Sequence, residues 1–211
     1  MKNLILIGAG GCGREVLQWA KDVNRASPRW KIKGFLDDNP NALDGKACDA
    51  KIIGTIADYS PQDDDEFLCC LGTSATRERV FNTLQARGAR FTTLAHPTAV
   101  VSDSCELGEG VILYPFALVS PNAKIGRGCI INMYSSVTHD CQLGEFCTIS
   151  GHCDITGACV LGARVFMGSS SQITPGTQLG DDVWICAGSC VMTRARAGVK
   201  LLGVPAKIVK F

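Results

Sequence analysis

Residues 129–158 read CIINMY, SSVTHD, CQLGEF, CTISGH, CDITGA: five blocks of six, each opening on a small residue and carrying an aliphatic third. The register continues in both directions. Every sixth residue from Val101 through Leu113, Ile131, Ile149 and Met167 to Val191 is apolar, with no insertion. At an apolar fraction of 46%, a run of that length arises by chance on the order of once in 10⁵. A second period lies inside the first. Leu107-Gly108, Ile125-Gly126, Leu143-Gly144, Leu161-Gly162 and Leu179-Gly180 recur every eighteen residues, so three blocks make one unit of a three-sided coil.

Alternation along a strand puts the residue two before each aliphatic on the same inward face. Those positions are all small. They include Ala99, Val111, Ala117, Ser135, Ser171 and Thr177, and six are cysteine: Cys105, Cys129, Cys141, Cys147, Cys153 and Cys159. Turn formers such as Pro121-Asn122, Pro175-Gly176 and Asp181-Asp182 follow the strands. Cysteines eighteen apart would stack on adjacent rungs roughly 4.8 Å apart, a spacing that permits a disulfide. The packing account favours free thiols acting as compact hydrophobes. So does a reducing cytoplasm.

The formal charge of the 211 residues is +1, which gives no basis for a nucleic-acid face or a membrane-surface patch. The apolar opening Met1–Gly8 is too short for a signal peptide or a membrane span, and the expected location is the cytoplasm. Ahead of the coil, strands are expected over Leu4–Ile7, Ile32–Leu36 and Phe67–Leu71. Helices are expected over Arg14–Ala26 and Ala75–Arg87, together a small parallel α/β sheet. Gly8, Gly10 and Gly13 form G-x-G-x-x-G between a strand and a helix, where backbone can approach a phosphate or sugar. A tight structural turn is the alternative. Asp37-Asp38 at a strand end suits hydrogen bonding to a ribose or uracil, or else a solvated turn. About ninety residues are too few for a full dinucleotide fold, so hydride transfer is not expected.

Three segments resemble one family. They are Gly8-Ala9-Gly10-Gly11 with Gly13-Arg14-Glu15, Phe35-Leu36-Asp37-Asp38, and His96-Pro97-Thr98-Ala99 entering the coil. This arrangement is similar to the sialic-acid O-acetyltransferase family of hexapeptide-repeat sugar acyltransferases, which includes the N-acetyltransferases of UDP-4-amino-4,6-dideoxy sugars. The resemblance covers nearly the whole chain and implies a left-handed β-helix. It implies a homotrimer with acetyl-CoA in clefts between neighbouring helices. The division expected is a nucleotide-sugar-binding domain over residues 1–95 and a catalytic, acyl-CoA-binding β-helix over 96–211. Gly8, Gly10, Gly11, Cys12, Gly13, Asp37, Asp38, Gly72 and Arg77 are the expected sugar-nucleotide residues. Cys12 stands where several relatives carry histidine.

Acyl transfer needs a base, an oxyanion donor and alignment of two substrates. The chain has three histidines. His139-Asp140 matches the family's histidine base and its acidic partner, and Asn132, seven residues earlier, matches a polar active-site residue. Gly157 lies eighteen residues after His139 and so at the same corner one rung along, with a backbone N–H that the resemblance assigns to the acyl oxygen. His152 falls on a different corner, and His96 at the domain junction. The resemblance puts acetyl-CoA against Thr148, Gly157 and the tail residues Gly203, Pro205 and Lys207. Thr148 stands where some relatives have histidine. Three scattered histidines argue against a metal. The expected function is acetyl-CoA-dependent N-acetylation of a UDP-linked 4-amino-4,6-dideoxy sugar. O-acetylation of sialic acid or another glycan precursor is the alternative with the same machinery, and a non-catalytic trimeric sugar-nucleotide-binding scaffold is the alternative without it.

Overall fold

The computed structural model describes residues 1–210, which divide into two compact units, one over Met1–Pro97 and one from Thr98 onward. The first unit is a four-stranded, all-parallel sheet. Its elements run β1 (Lys2–Ile7), α1 (Gly11–Ala26), β2 (Trp30–Leu36), β3 (Ile52–Gly54), β4 (Asp65–Cys69) and α2 (Ser74–Ala86), with spatial order β3-β2-β1-β4. Leu4 to Ile7, Phe35, Leu36, Phe67 and Leu68 are fully buried, as strands covered on both faces must be. The helix α1 turns Gly13, Val16, Leu17 and Ala20 inward. It begins three residues before the Arg14 expected, because the glycine loop itself winds into its first turn. β3 had no counterpart in the expected strands. Three residues carry too little alternation to be read.

The second unit is a parallel β-helix, consistent with the left-handed coil that the resemblance implies. Its two-residue strands stack into three faces, and each pairs in parallel with strands eighteen residues away. The first face runs through Lys124, Gln142 and Val160, the second through Ile130, Thr148 and Phe166, and the third through Leu118, Ser136 and Asp154. All the aliphatic positions from Leu113 to Val191 are buried, as are the small inward positions from Val111 to Ser189. The cysteines are free thiols. Within the coil they point at carbonyl oxygens of a neighbouring rung, as Cys129 Sγ does to Gly144 O at 3.1 Å. The antiparallel strands Lys200–Gly203 and Ala206–Val209 close the second face.

Two features explain the periods. Every sixth residue from Gly110 to Gly188 has φ between 57° and 71°, the left-handed region. Only four of these are glycine, and Phe116, Tyr134 and Phe146 are among the rest, although a side chain there costs about 1 kcal/mol or more. The offset is visible at each corner. From Gly128 to Gly188 the N–H of the left-handed residue donates to a carbonyl of the preceding coil, as Phe146 does to Arg127 at 2.8 Å and His152 to Met133 at 3.1 Å, whereas Phe116 and Asn122 donate to the hydroxyls of Thr98 and Ser104. The eighteen-residue glycine has a steric cause instead. A Cβ on Gly144 would stand 2.5 Å from the carbonyl carbon of Gly162, and one on Gly126 would stand 2.6 Å from that of Gly144. Backbones of successive coils touch there. Gly144→Ala should therefore destabilise the β-helix by about 1–3 kcal/mol, measured as a lower urea midpoint at unchanged slope.

Candidate active site

At the corner from the third face to the first, residues one coil apart stand side by side. His139 and Asp140 occupy this corner, with Pro121-Asn122 on the coil before and Gly157-Ala158 on the coil after. The backbone ties all three together. Asp140 N donates to Pro121 O at 3.1 Å, and Ala158 N donates to His139 O at 2.9 Å.

The side chains form a directed set. His139 Nδ1 lies 2.8 Å from Asp140 Oδ2, and the other carboxylate oxygen accepts from Asn122 Nδ2 at 3.1 Å. Those two contacts, His139 first, hold the Asp140 carboxyl below the usual carboxylate range. With Asp140 ionised, Nδ1 is the proton-bearing nitrogen, and Nε2 presents its lone pair outward. The histidine side chain is 65% exposed, open to a substrate. Its ring lies across Gly157. A Cβ on that glycine would come within 2.4 Å of His139 Cε1 and 2.6 Å of Nε2. Among the described residues no protein acceptor takes the Gly157 N–H, which leaves a donor beside the imidazole.

The remaining expected residues do not join this corner. Asn132 belongs to the corner from the second face to the third, and its amide donates to Ile149 O at 2.9 Å. Thr148 faces outward on the second face and is buried. His152 stacks on Tyr134 at 5.1 Å, and Tyr134 on Phe116 at 5.0 Å, a ladder of rings up the corner that also carries Asn132. In the closing hairpin Gly203 ends the first strand and its N donates to Ser189 Oγ at 3.1 Å, Pro205 lies in the turn, Lys207 lies in the second strand, and Pro205 and Lys207 are exposed. Beside the His139 corner, the first face carries a groove of about 570 Å³ lined by Val160, Gln178, Leu179, Arg194, Arg196 and Ile208. The two arginines were not among the expected residues. They flank Ala195, whose pairing with Leu179 turns them both away from the core, a relation visible only once the coil is wound.

The first unit offers a second concave surface. After β1 the chain crosses to β2, whereas after β4 it returns on the far side, where Phe91 bridges Phe67. Such a switch point opens a crevice at the carboxyl ends of β1 and β4. The N-termini of α1 and α2 both lie there, and neither Gly10 nor Thr73 supplies a capping side chain. Helix N-termini without a capping side chain favour an anion. Open space lies over Gly10, Gly11 and Gly72. Gly13 has a different task, since a Cβ there would sit 1.9 Å from Gly8 O. Cys12, in the first turn of α1, lies against Cys70, which follows β4, and burial pushes the Cys69 thiol up to about 12.

The acidic pair and Arg77 hold the crevice in shape. Asp37 accepts from Ala9 N at 2.7 Å and from Asn39 N at 2.9 Å, and Asp38 accepts from Ile56 N at 2.9 Å. Arg77 is fully buried and donates to Leu71 O at 2.8 Å. Asp38 also lines a cavity of about 220 Å³ with Ile56, Arg79, Thr83 and Arg87, none of which the sequence pattern singled out. Among the described residues no three metal-ligating side chains gather, and no helix is long and apolar enough to cross a membrane.

Gly157→Ala should displace the imidazole and break the contact between His139 and Asp140. The change would register in the His139 ring nitrogen NMR shifts, with the thermal midpoint altered by only a few degrees.

Known proteins resemble this chain in sequence and in fold. Residues 3–84 match the family model of the PglD N-terminal domain. The UDP-N-acetylbacillosamine N-acetyltransferase of Bacillus subtilis (strain 168) is 27% identical over 117 residues, 54% of this chain and 51% of that protein. The match thus spans about half the length of that curated relative. The acetyltransferase domain of PglB from Neisseria gonorrhoeae FA1090 superposes with a TM-score of 0.90 at 27% identity, covering 99% of this chain and all of that one. A second structure of that domain holds acetyl coenzyme A (TM-score 0.88, 28% identity, 99% of both chains). PerB from Caulobacter crescentus, solved with CoA and GDP-perosamine, gives a TM-score of 0.90 at 26% identity over 100% of this chain and 98% of that one. The chain is thus similar to these acetyltransferases in fold over nearly its whole length, and its residues 3–84 match the PglD N-terminal domain.

Proposed function

We propose that the chain transfers an acetyl group from acetyl-CoA to the 4-amino group of a UDP-linked 4-amino-4,6-dideoxy sugar, with His139 as general base. The observation that carries this reading is the imidazole of His139, fixed at Nδ1 by Asp140 and lying against the free N–H of Gly157. His139 Nε2 takes the proton from the attacking nitrogen as the N–C bond forms, and returns it to the departing sulfur as the C–S bond breaks. Such a base contributes about 10²–10⁴-fold. Gly157 N–H donates to the carbonyl oxygen as charge develops on it. The same pair of groups serves a hydroxyl acceptor, so the acceptor is decided by the first unit rather than by the corner.

The expected division of labour has support. The crevice of the first unit, with two uncapped helix N-termini, suits a nucleoside diphosphate. Acetyl-CoA supplies the activated acyl group as a thioester. Arg194 and Arg196 lining the first-face groove suit its phosphates, and Gly203, Pro205 and Lys207 lie along the closing hairpin near the end of the coil. Asn132 and Thr148 lie away from the His139 corner of their own chain, an arrangement that suits a homotrimer in which a neighbouring copy completes the cleft. Residues 1–95 then hold the sugar nucleotide and 96–211 the acyl donor, in the cytoplasm.

Thiol release from acetyl-CoA against UDP- and GDP-linked 4-amino sugars and sialic acid tests the reading. One UDP-linked amino sugar should turn over rapidly, and His139→Ala should lower kcat at least about 100-fold with little change in KM. Turnover with sialic acid alone would replace N- by O-acetylation, and binding of UDP without turnover of any acceptor would favour the non-catalytic scaffold. The pH dependence has a fixed sign. Asp140 has a depressed folded-state pKa, so its contact with His139 is present above the ordinary carboxylate range and lost only as pH falls through the lowered value. A kcat/KM profile over mildly acidic to neutral pH should therefore show no ionisation from Asp140, which stays charged throughout that range.

A further inference from the structure

We infer that Asn122 is a positioning residue for this acyl transfer, setting the imidazole of His139 by fixing the Asp140 carboxylate; the inference rests on the function proposed above. The contacts run in one line. Asn122 Nδ2 donates to Asp140 Oδ1 at 3.1 Å, and Asp140 Oδ2 faces His139 Nδ1 at 2.8 Å. Without the amide, the carboxylate has one partner and its plane is free to rotate about χ2. With it, both oxygens are held and the line of approach to Nδ1 is fixed.

The geometry that makes this possible belongs to the coil. Asn122 and Asp140 are eighteen residues apart and occupy the same left-handed corner on successive rungs, with φ of 61° each. Identical backbone conformations launch the two side chains in parallel, so a short amide and a short carboxylate meet directly. Asn122 N also lies 3.3 Å from Ser104 Oγ, one coil further back, which anchors the backbone of the donor. Few groups compete for the carboxylate. Pro121, Asn122, Gly157 and Ala158, which flank the pair on both neighbouring coils of this corner, carry no charge. The next charged side chains are Asp103, two coils back, and Lys124, which is engaged by Glu106 at 2.8 Å.

Asparagine also tolerates left-handed backbone, so a purely conformational role must be separated from the amide contact. Asn122→Gly does so, because glycine adopts the same φ without strain and removes only the side chain. It should lower kcat about five- to tenfold, leave KM for both substrates within about twofold, and leave the thermal midpoint unchanged. Because the effect passes through Asp140, the same substitution should cost nothing further in an Asp140→Asn background. An Asn122→Gly variant as active as the parent, or additive losses in the double variant, would overturn the inference while leaving the general base in place. A protein inactive towards every acceptor would overturn the proposed function instead. In that event the ring nitrogen NMR signals of His139 read the contact without turnover. In the native chain neutral His139 should carry its proton on Nδ1, and in Asn122→Gly the population should drift toward the Nε2–H form. An unchanged tautomer population would refute the positioning role.

Discussion

The eighteen-residue stacking of coil on coil is the constraint from which the rest follows. Each rung is tied to the next by parallel strand pairs and by corner N–H groups that donate one coil back. Stacking at this spacing leaves the interior narrow, and only small residues fit beside the aliphatic ones. Six cysteines and the buried Ser135, Ser171 and Ser189 all solve that problem. The stacking also brings backbones into contact after each first-face strand, which is why glycine recurs at 108, 126, 144, 162 and 180.

Chemistry on such a frame is confined to the corners and the outward strand positions. Inward positions are filled, whereas a corner residue projects its side chain away from the stack with a direction fixed by φ. A functional group at residue n therefore has as its nearest neighbours the residues at n − 18 and n + 18. For His139 one of these neighbours is a glycine whose missing side chain makes room for the ring. For Asp140 one is an asparagine whose amide meets the carboxylate. The site is built across rungs, and a local motif of two residues understates it.

The first unit works on a different principle. Its glycine loop is shaped by close backbone approach, with Gly13 packed on Gly8 O and Ala9 N held by Asp37. Asp37 accepts loop N–H groups on both oxygens and Asp38 on one, and Arg77 is buried against the Leu71–Gly72 turn. The N-termini of α1 and α2 carry no capping side chain, and Asp38, Arg79 and Arg87 line the smaller cavity.

The β-helix was legible in the chain because a strict period translates directly into stacking. Val101 to Val191 and the small residues two positions earlier name the interior without further information, and the same arithmetic places Gly157 beside His139. The short strand Ile52–Gly54 escaped notice because three residues carry almost no periodic signal. Polar side chains were a different matter, since a carboxylate or guanidinium takes whichever partner folding brings within reach. Only the tertiary structure decided that Asp37 would hold a loop, that Arg77 would be buried, that Asn132 would stand at another corner from His139, and that Arg194 and Arg196 would flank a groove. Periodic apolar residues encode where the chain packs, because burial depends on spacing alone. Hydrogen-bonding partners depend on distances between segments far apart in sequence, and those exist only once the chain has folded.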